Sequence, residues 1–375
     1  MEHFKRDIQQ NIKEDLKSKI VLLSGPRQVG KTTLTQKLDQ KAQYINYDNM
    51  DDRSIILKRS FDRQGLIIFD ELHKLRNWKS WLKGIYDHDK GKYQIIVTGS
   101  SRLDIAKKMG DSLAGRFFLY HLHPLTLKEL KNHIPPEKAL EQLLKCSGFP
   151  EPFFKSTQQF YNRWRHSHLD IILRQDLASM ELIHDIGDIE NLILLLQDRV
   201  GGTIKYANLA HDLGRDPKTI KRWITILENL FIIFTVSPYT KSINKAILKE
   251  PKVYFYDVAR IKNPGAQLEN LVALSLKKEL DYILDTSGTT GNLGYLRNKD
   301  GKELDFIVTM ENGLTFLFEV KTSDETPSKH FNYFSNFFNK PKCIQLVKNL
   351  KRKASYPSGV EIHKLSDYLT NFDLT

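Results

Sequence analysis

The stretch IVLLSGPRQVGKTTLTQKL, residues 20–38, decides the fold. Four apolar residues and a serine read as a buried strand. The next eight positions from Gly25 match G-x-x-x-x-G-K-[ST], and a helix-like run follows. A glycine-rich turn between a strand and a helix N-terminus aims backbone N–H groups at one spot, as bound phosphates require. Gly25, Pro26, Arg27, Gln28, Val29, Gly30, Lys31, Thr32 and Thr33 are therefore the expected ATP contacts. Lys31 reaches the β- and γ-phosphates, and the Thr32 hydroxyl ligates Mg²⁺.

Two further apolar runs, LIIFD (66–70) and QIIVTGS (94–100), alternate with amphipathic stretches up to about residue 135. That alternation predicts a parallel sheet covered by helices. Asp70 ends the first run, where it can hold the shell of the Mg²⁺. Glu71 beside it can orient or deprotonate an attacking water. The end of the second run places Ser100 or Ser101 as a γ-phosphate sensor. In DSLAGRFF (111–118), Arg116 is a candidate arginine finger for a neighbouring copy, since phosphoryl transfer gains most from added positive charge at the transition state. DELH (70–73) also spells a helicase box, but no other helicase motif accompanies it.

The chain has 375 residues, long for one core, so two or three domains are expected. Cys146 and Cys343 share no ligand-like spacing with each other or with histidines, which supports neither a disulfide framework nor a zinc site. The first ten residues, MEHFKRDIQQ, lack an apolar core, and runs such as LILLL (192–196) fall well short of the roughly 20 residues that span a bilayer. A cytoplasmic protein with no membrane partner is the expectation. The net charge of +12 suits a polyanion partner, although a well-solvated surface would explain it too. The charge concentrates in RDPKTIKR (215–222), four basic to one acidic, and in KPKCIQLVKNLKRK (340–353), six to none.

YANLAHDLGRDPKTIKRWITILENLFII (206–233) has the cadence of a helix-turn-helix. One apolar-patterned helix closes at Gly214, RDP makes the turn, and a second helix follows. Leu209, Ala210, Leu213, Ile220, Trp223, Ile224 and Leu227 supply its core. Lys218, Thr219, Lys221 and Arg222 then lie near the exposed face that would enter a DNA groove, with contact directed by shape and phosphates; a protein-contact or purely structural unit is the alternative. IIFTVSPYT would form the wing.

A hairpin around MENG (310–313) pairs positions whose numbers sum to about 623 or 624. Asp305 then falls opposite Phe318 or Glu319, and Lys321 shares a face with Glu319. Two adjacent carboxylates can share a divalent cation, Mg²⁺ or Mn²⁺, and a lysine can position the water it binds. Glu269, on a preceding apolar helix, is a third candidate ligand. A charged edge hairpin with a salt bridge is the alternative.

GPRQVGKTT, FDELHKLRNW, SLAGRFF, SGFPEP (147–152), KVYFYDVA (252–259), LENLV and LDFIV…FEVK, in that order, resemble one family across nearly the whole chain. It is the group of prokaryotic AAA-type ATPases with a C-terminal domain long labelled as of unknown function. The resemblance implies an α/β chain: an AAA-type core with a parallel sheet (1–135), a helical lid (136–202), a winged helix (203–250) and a domain similar to the PD-(D/E)XK restriction-endonuclease fold (251–375). Asp305, Glu319 and Lys321 match that nuclease signature, and Glu269 matches its helix glutamate. His73 departs from the family, which usually has glutamine there. The implied protein is an ATPase acting on DNA, with a metal-dependent nuclease site and, if Arg116 acts in trans, an oligomer or ring. A nucleotide-gated interaction protein with non-catalytic C-terminal modules is the rival, and DNA-stimulated ATP turnover separates the two.

Overall fold

The computed structural model describes residues 4–89, 92–99, 113–177, 186–240, 250–323, 326–351, 354–356 and 359–375. It divides into two compact units, Met1–His123 and Pro124–Thr375.

The first unit holds helix α1 (Gln9–Asp15), strand β1 (Ile20–Ser24), α2 (Lys31–Gln36), β2 (Gln43–Asn46), α3 (Met50–Lys58), β3 (Leu66–Asp70), α4 (Trp78–His88), β4 (Gln94–Gly99) and β5 (Phe117–His121). The strands form one parallel sheet in the order β2-β3-β4-β1-β5. β1 and β3 are buried at every position, as strands covered on both faces must be, which is why they read as unbroken apolar runs. β2 and β5, half-exposed at the two edges, were not expected from the sequence. Phe61, Phe69 and Trp81 interlock beneath the sheet, with Phe69 edge-on to both partners at 5.3 and 5.4 Å. In a parallel sheet all strands end on one side. The turn after β1, Asp70 of β3 and Thr98 of β4 therefore meet along a single edge.

The second unit opens with α5 (Leu127–Leu130), α6 (Pro136–Cys146), α7 (Pro150–Lys155), α8 (Gln158–Ile171) and α9 (Ile186–Gln197). The helix-turn-helix pair α10 (Tyr206–Leu213) and α11 (Pro217–Asn229) follows, then β6 (Ile233–Pro238) and β7 (Lys252–Phe255). The remainder is α12 (Pro264–Ser287), β8 (Gly291–Arg297), β9 (Glu303–Met310), β10 (Thr315–Lys321), α13 (Lys329–Phe334), β11 (Lys342–Val347), β12 (Ala354–Ser355), β13 (Val360–Lys364) and α14 (Leu365–Asn371). The strands make a mixed sheet in the order β12-β13-β11-β10-β9-β8-β6-β7.

The expected boundary near residue 135 falls inside this unit. The helices read as a lid are held by its C-terminal elements: Glu137 of α6 pairs with Lys364 at 2.6 Å and accepts from Ser366 at 2.7 Å. The Tyr161 hydroxyl of α8 donates to Asp257 at 3.0 Å. β6, read as a wing, pairs with β7 on one side and with β8 on the other, so it belongs to the large sheet.

α12 is the long spine of the unit. Its start is fixed by Asn263, which accepts from the Ala266 N–H at 3.1 Å, and by Pro264 in the first turn. Among the described residues no helix is long and apolar enough to cross a membrane.

Candidate functional site

Gly25 follows β1 and lies so close to the Leu122 carbonyl that a Cβ would stand 2.3 Å from its oxygen. Only glycine fits. Gln28 (φ 61°) and Gly30 (φ 98°) adopt left-handed backbone, which curls the loop into a concavity ahead of α2. Lys31 is buried, and its Nζ donates to the carbonyls of Gly25 and Pro26 at 2.8 Å each. From there the ammonium already stands over the loop. Arg27 is half-buried, Thr33 is exposed, and Val29 is buried. Behind the loop the buried Arg6 guanidinium donates to the Val29 carbonyl at 3.0 Å and to that of His123.

The Asp70 carboxylate accepts from four donors on four segments. Thr32 Oγ1 lies 3.2 Å and the Tyr44 hydroxyl 2.5 Å from Oδ2, while the Thr98 hydroxyl and the Glu71 N–H (3.1 Å) reach Oδ1. Burial, then Asp70 itself, pushes the Tyr44 hydroxyl well up, so it remains a donor at neutral pH. Glu71 is left-handed (φ 55°) and donates its N–H to the Thr98 carbonyl at 3.0 Å, which turns the chain sharply off the strand end. Its carboxylate lies 3.5 Å from His73 Nδ1 and 4.0 Å from Lys74 Nζ. Burial holds the His73 imidazole below its ordinary value, against the pull of Glu71.

These residues fit a magnesium nucleotide. A glycine-only cradle, a lysine at its mouth and a hydroxyl beside a carboxylate form a set of hard oxygen donors and phosphate contacts. Thr32 and Asp70 would hold Mg²⁺. Sequence reasoning found the loop, Asp70 and Glu71 but missed Arg6, Tyr44 and Thr98. Only Thr98 had a signal, since the polar end of QIIVTGS was assigned to Ser100 or Ser101, both outside the described residues.

Arg116 sits at the start of β5, where its carbonyl accepts from the Ile20 N–H at 3.0 Å. That is the opposite end of β1 from the phosphate loop. Its guanidinium forms a two-point pair with Asp87, at 2.8 and 3.1 Å.

In the second unit, α10 ends on left-handed Gly214, and Asp216 caps α11 by accepting from the Lys218 N–H at 2.7 Å. Leu209, Ala210, Ile220, Trp223, Ile224 and Leu227 are buried, whereas Leu213 is half-buried. Lys218, Lys221 and Arg222 are exposed on the first two turns of α11, with Thr219 half-buried between them. Glu228 accepts from the Thr235 N–H (3.2 Å) and hydroxyl (2.7 Å), tying α11 to β6.

The hairpin of β9 and β10 has the 624 register, with Phe306 opposite Phe318. One step on, Asp305 Oδ2 accepts from the Val320 N–H at 2.8 Å, beside Glu319. Glu319 Oε1 pairs with Lys321 Nζ at 2.7 Å, while its buried Oε2 has no hydrogen-bond partner among the described residues. Glu269 is already engaged: its Oε1 accepts from Tyr254 (2.6 Å) and from the buried Lys252 (3.2 Å), whose ammonium also pairs with Glu303 at 2.6 Å. Burial and the neighbouring Asp305 push both Glu269 and Glu319 up to about 7. Among the described residues no group of three or more His, Cys, Asp or Glu side chains is arranged to hold a metal ion. A divalent cation shared by Glu269, Asp305 and Glu319 does not fit this arrangement.

The family matches part between residues 131 and 137, beyond the start of the second unit and close to the boundary expected near residue 135. Residues 17–131 match an AAA domain, 137–262 a domain of unknown function (DUF8612), and 264–368 another domain of unknown function (DUF4143). An uncharacterized protein of Mycobacterium tuberculosis is 25% identical over 331 residues, covering 82% of this chain and 71% of its own. One from Methanocaldococcus jannaschii is 25% identical over 334 residues, covering 79% and 73%. Among solved structures, the Walker-type ATPase of Pyrococcus abyssi aligns with a TM-score of 0.44 at 15% identity, over 68% of this chain and 94% of that one. Residues 17–131, which hold the phosphate loop, Asp70 and Glu71, thus match an AAA domain.

Proposed function

We propose that the chain is an ATP-hydrolysing machine that acts on DNA, its first unit supplying the chemistry and α11 of its second unit the grip. The observation that carries the hydrolytic half is the meeting of Lys31, Thr32, Asp70 and Glu71 at one sheet edge. Lys31 would leave the Gly25 and Pro26 carbonyls for the β- and γ-phosphates, exchanging neutral acceptors for charged ones. Glu71 would orient the attacking water and take its proton as the bond from the γ-phosphorus to the bridging oxygen breaks. Mg²⁺, held by Thr32 and Asp70, would supply neutralising charge on the phosphates.

The DNA half rests on Lys218, Lys221 and Arg222, exposed together on the first turns of a helix whose opposite face is buried. Cations so placed gain affinity by releasing counterions from phosphates. Assembly belongs to the same reading, with Arg116 leaving Asp87 to complete a neighbour's site.

The test is ATP turnover with and without linear, forked and four-way DNA, with Lys31→Ala as the inactive control. We expect DNA to raise turnover of the parent and leave the variant silent. Hydrolysis indifferent to every DNA would replace this reading with the nucleotide-gated interaction protein.

A further inference from the structure

The acidic pocket between α12, β7 and the hairpin gathers the carboxylates of Glu269, Glu303, Asp305 and Glu319, and an ammonium already stands among them. Lys252 is 1% exposed. Its backbone is fixed by pairing with β6 and by a bridge to Thr203. Its Nζ lies 2.6 Å from Glu303 and 3.2 Å from Glu269, and the Tyr295 ring centre lies 5.3 Å away. An ammonium buried this deeply is costly unless it is paired, so it is held on these carboxylates.

Glu269 is closed off on its other side as well. Its Oε2 packs on Gly201 so tightly that a Cβ there would stand 2.6 Å away, and Tyr254 donates to its Oε1. Lysine, tyrosine and the glycine turn together enclose the one helix carboxylate that a shared metal would need. Arg297 lies 3.6 Å from Glu303 and adds a second cation on the outer side of the pocket.

We infer that the Lys252 ammonium is the resident cation of this pocket and stands in for a divalent metal, holding Glu269 and Glu303 so that Glu269 cannot join Asp305 and Glu319 as a ligand. A divalent ion entering beside Glu269 would meet this fixed positive charge in a poorly solvated space, where repulsion is strong. Replacing the ammonium with an apolar side chain removes the repulsion and returns Glu269 to a set of three acidic ligands. The second unit then keeps the shape of a carboxylate-lined site without its metal.

Mn²⁺ titration of the full nucleotide-free chain, followed by calorimetry, tests this. The parent should show no Mn²⁺ site that depends on Glu269, so Glu269→Gln should leave its isotherm unchanged. Lys252→Met should gain one site per chain, bound at least tenfold tighter than anything in the parent, and lose it again in Lys252→Met/Glu269→Gln. A stoichiometric Mn²⁺ site in the parent that Glu269→Gln abolishes would overturn the inference. So would a folded Lys252→Met that gains nothing. Should Lys252→Met fail to fold, the comparison of parent with Glu269→Gln still decides.

Discussion

Thr32 Oγ1 stands 3.2 Å from Asp70 Oδ2 although 38 residues separate them. One residue opens the helix after the phosphate loop and the other closes a strand two places away in the sheet. Their meeting places Glu71, the next residue, at the rim of the nucleotide site.

Glu71→Gln keeps the size of the side chain and removes its capacity to take a proton. Turnover should fall about 10²- to 10⁴-fold, with ATP affinity nearly unchanged. A phosphate-release assay paired with equilibrium binding of a fluorescent ATP analogue checks both halves. Parent-like turnover would remove Glu71 from the chemistry.

Tyr44→Phe deletes one of the four donors on Asp70 without opening a cavity. A hydrogen bond to a charged group contributes about 1.5–3 kcal/mol, so the melting temperature of the first unit should drop. Mg²⁺ should offset part of this by satisfying the freed oxygen. Equal losses with and without magnesium nucleotide would place Tyr44 outside the metal shell.

Arg116→Ala removes a partly exposed pair with Asp87, which should change stability little. On the reading that Arg116 serves a neighbour, turnover should nonetheless fall on the order of a thousandfold, with ATP binding intact. The parent's specific activity should also rise with protein concentration. Unchanged turnover in the variant would sink the trans role.

Lys218→Ala/Lys221→Ala/Arg222→Ala should weaken binding of unrelated duplexes alike. The slope of log affinity against log salt should become shallower by about 3, one per lost phosphate contact. Fluorescence anisotropy across a salt series reads this directly, and an unaltered slope would move the DNA contact elsewhere.

Glu319 gives a pH signature. Burial and Asp305 push it up to about 7 from its ordinary value of 4.5, so the folded chain binds the extra proton between those limits. Stability from this group is present below pH 4.5 and is lost as pH rises to about 7. Glu319→Gln should therefore exceed the parent in urea midpoint at pH 8 and match it near pH 4.5. A difference independent of pH would contradict the assigned shift.

The sites readable in the sequence were those whose chemistry constrains neighbouring positions. Gly25, Gly30, Lys31 and Thr32 follow from what a phosphate cradle demands of backbone and side chain. Asp305 and Glu319 follow from the symmetry of one tight turn. Tyr44 was hidden because β2 is a short edge strand with one buried residue in four, too weak a pattern to register. Arg6 acts through backbone carbonyls, and the sequence around it carries no mark of that. Lys252 had a faint signal: in KVYFYDVA it alternates with Tyr254, which puts both on the face that meets Glu269. What concealed it was distance along the chain, since neither its burial nor the joining of β6 to β8 follows from any local pattern.

That joining has a mechanical side. α11 is tied to β6 through Glu228 and Thr235, and β6 is hydrogen-bonded to β7 and β8. A load applied at Lys218 or Lys221 therefore passes through these bonds into an eight-stranded sheet. α11 is mounted as a braced arm on that sheet. A chain ending at residue 250 would keep the arm and lose β7 and β8, the strands that anchor it.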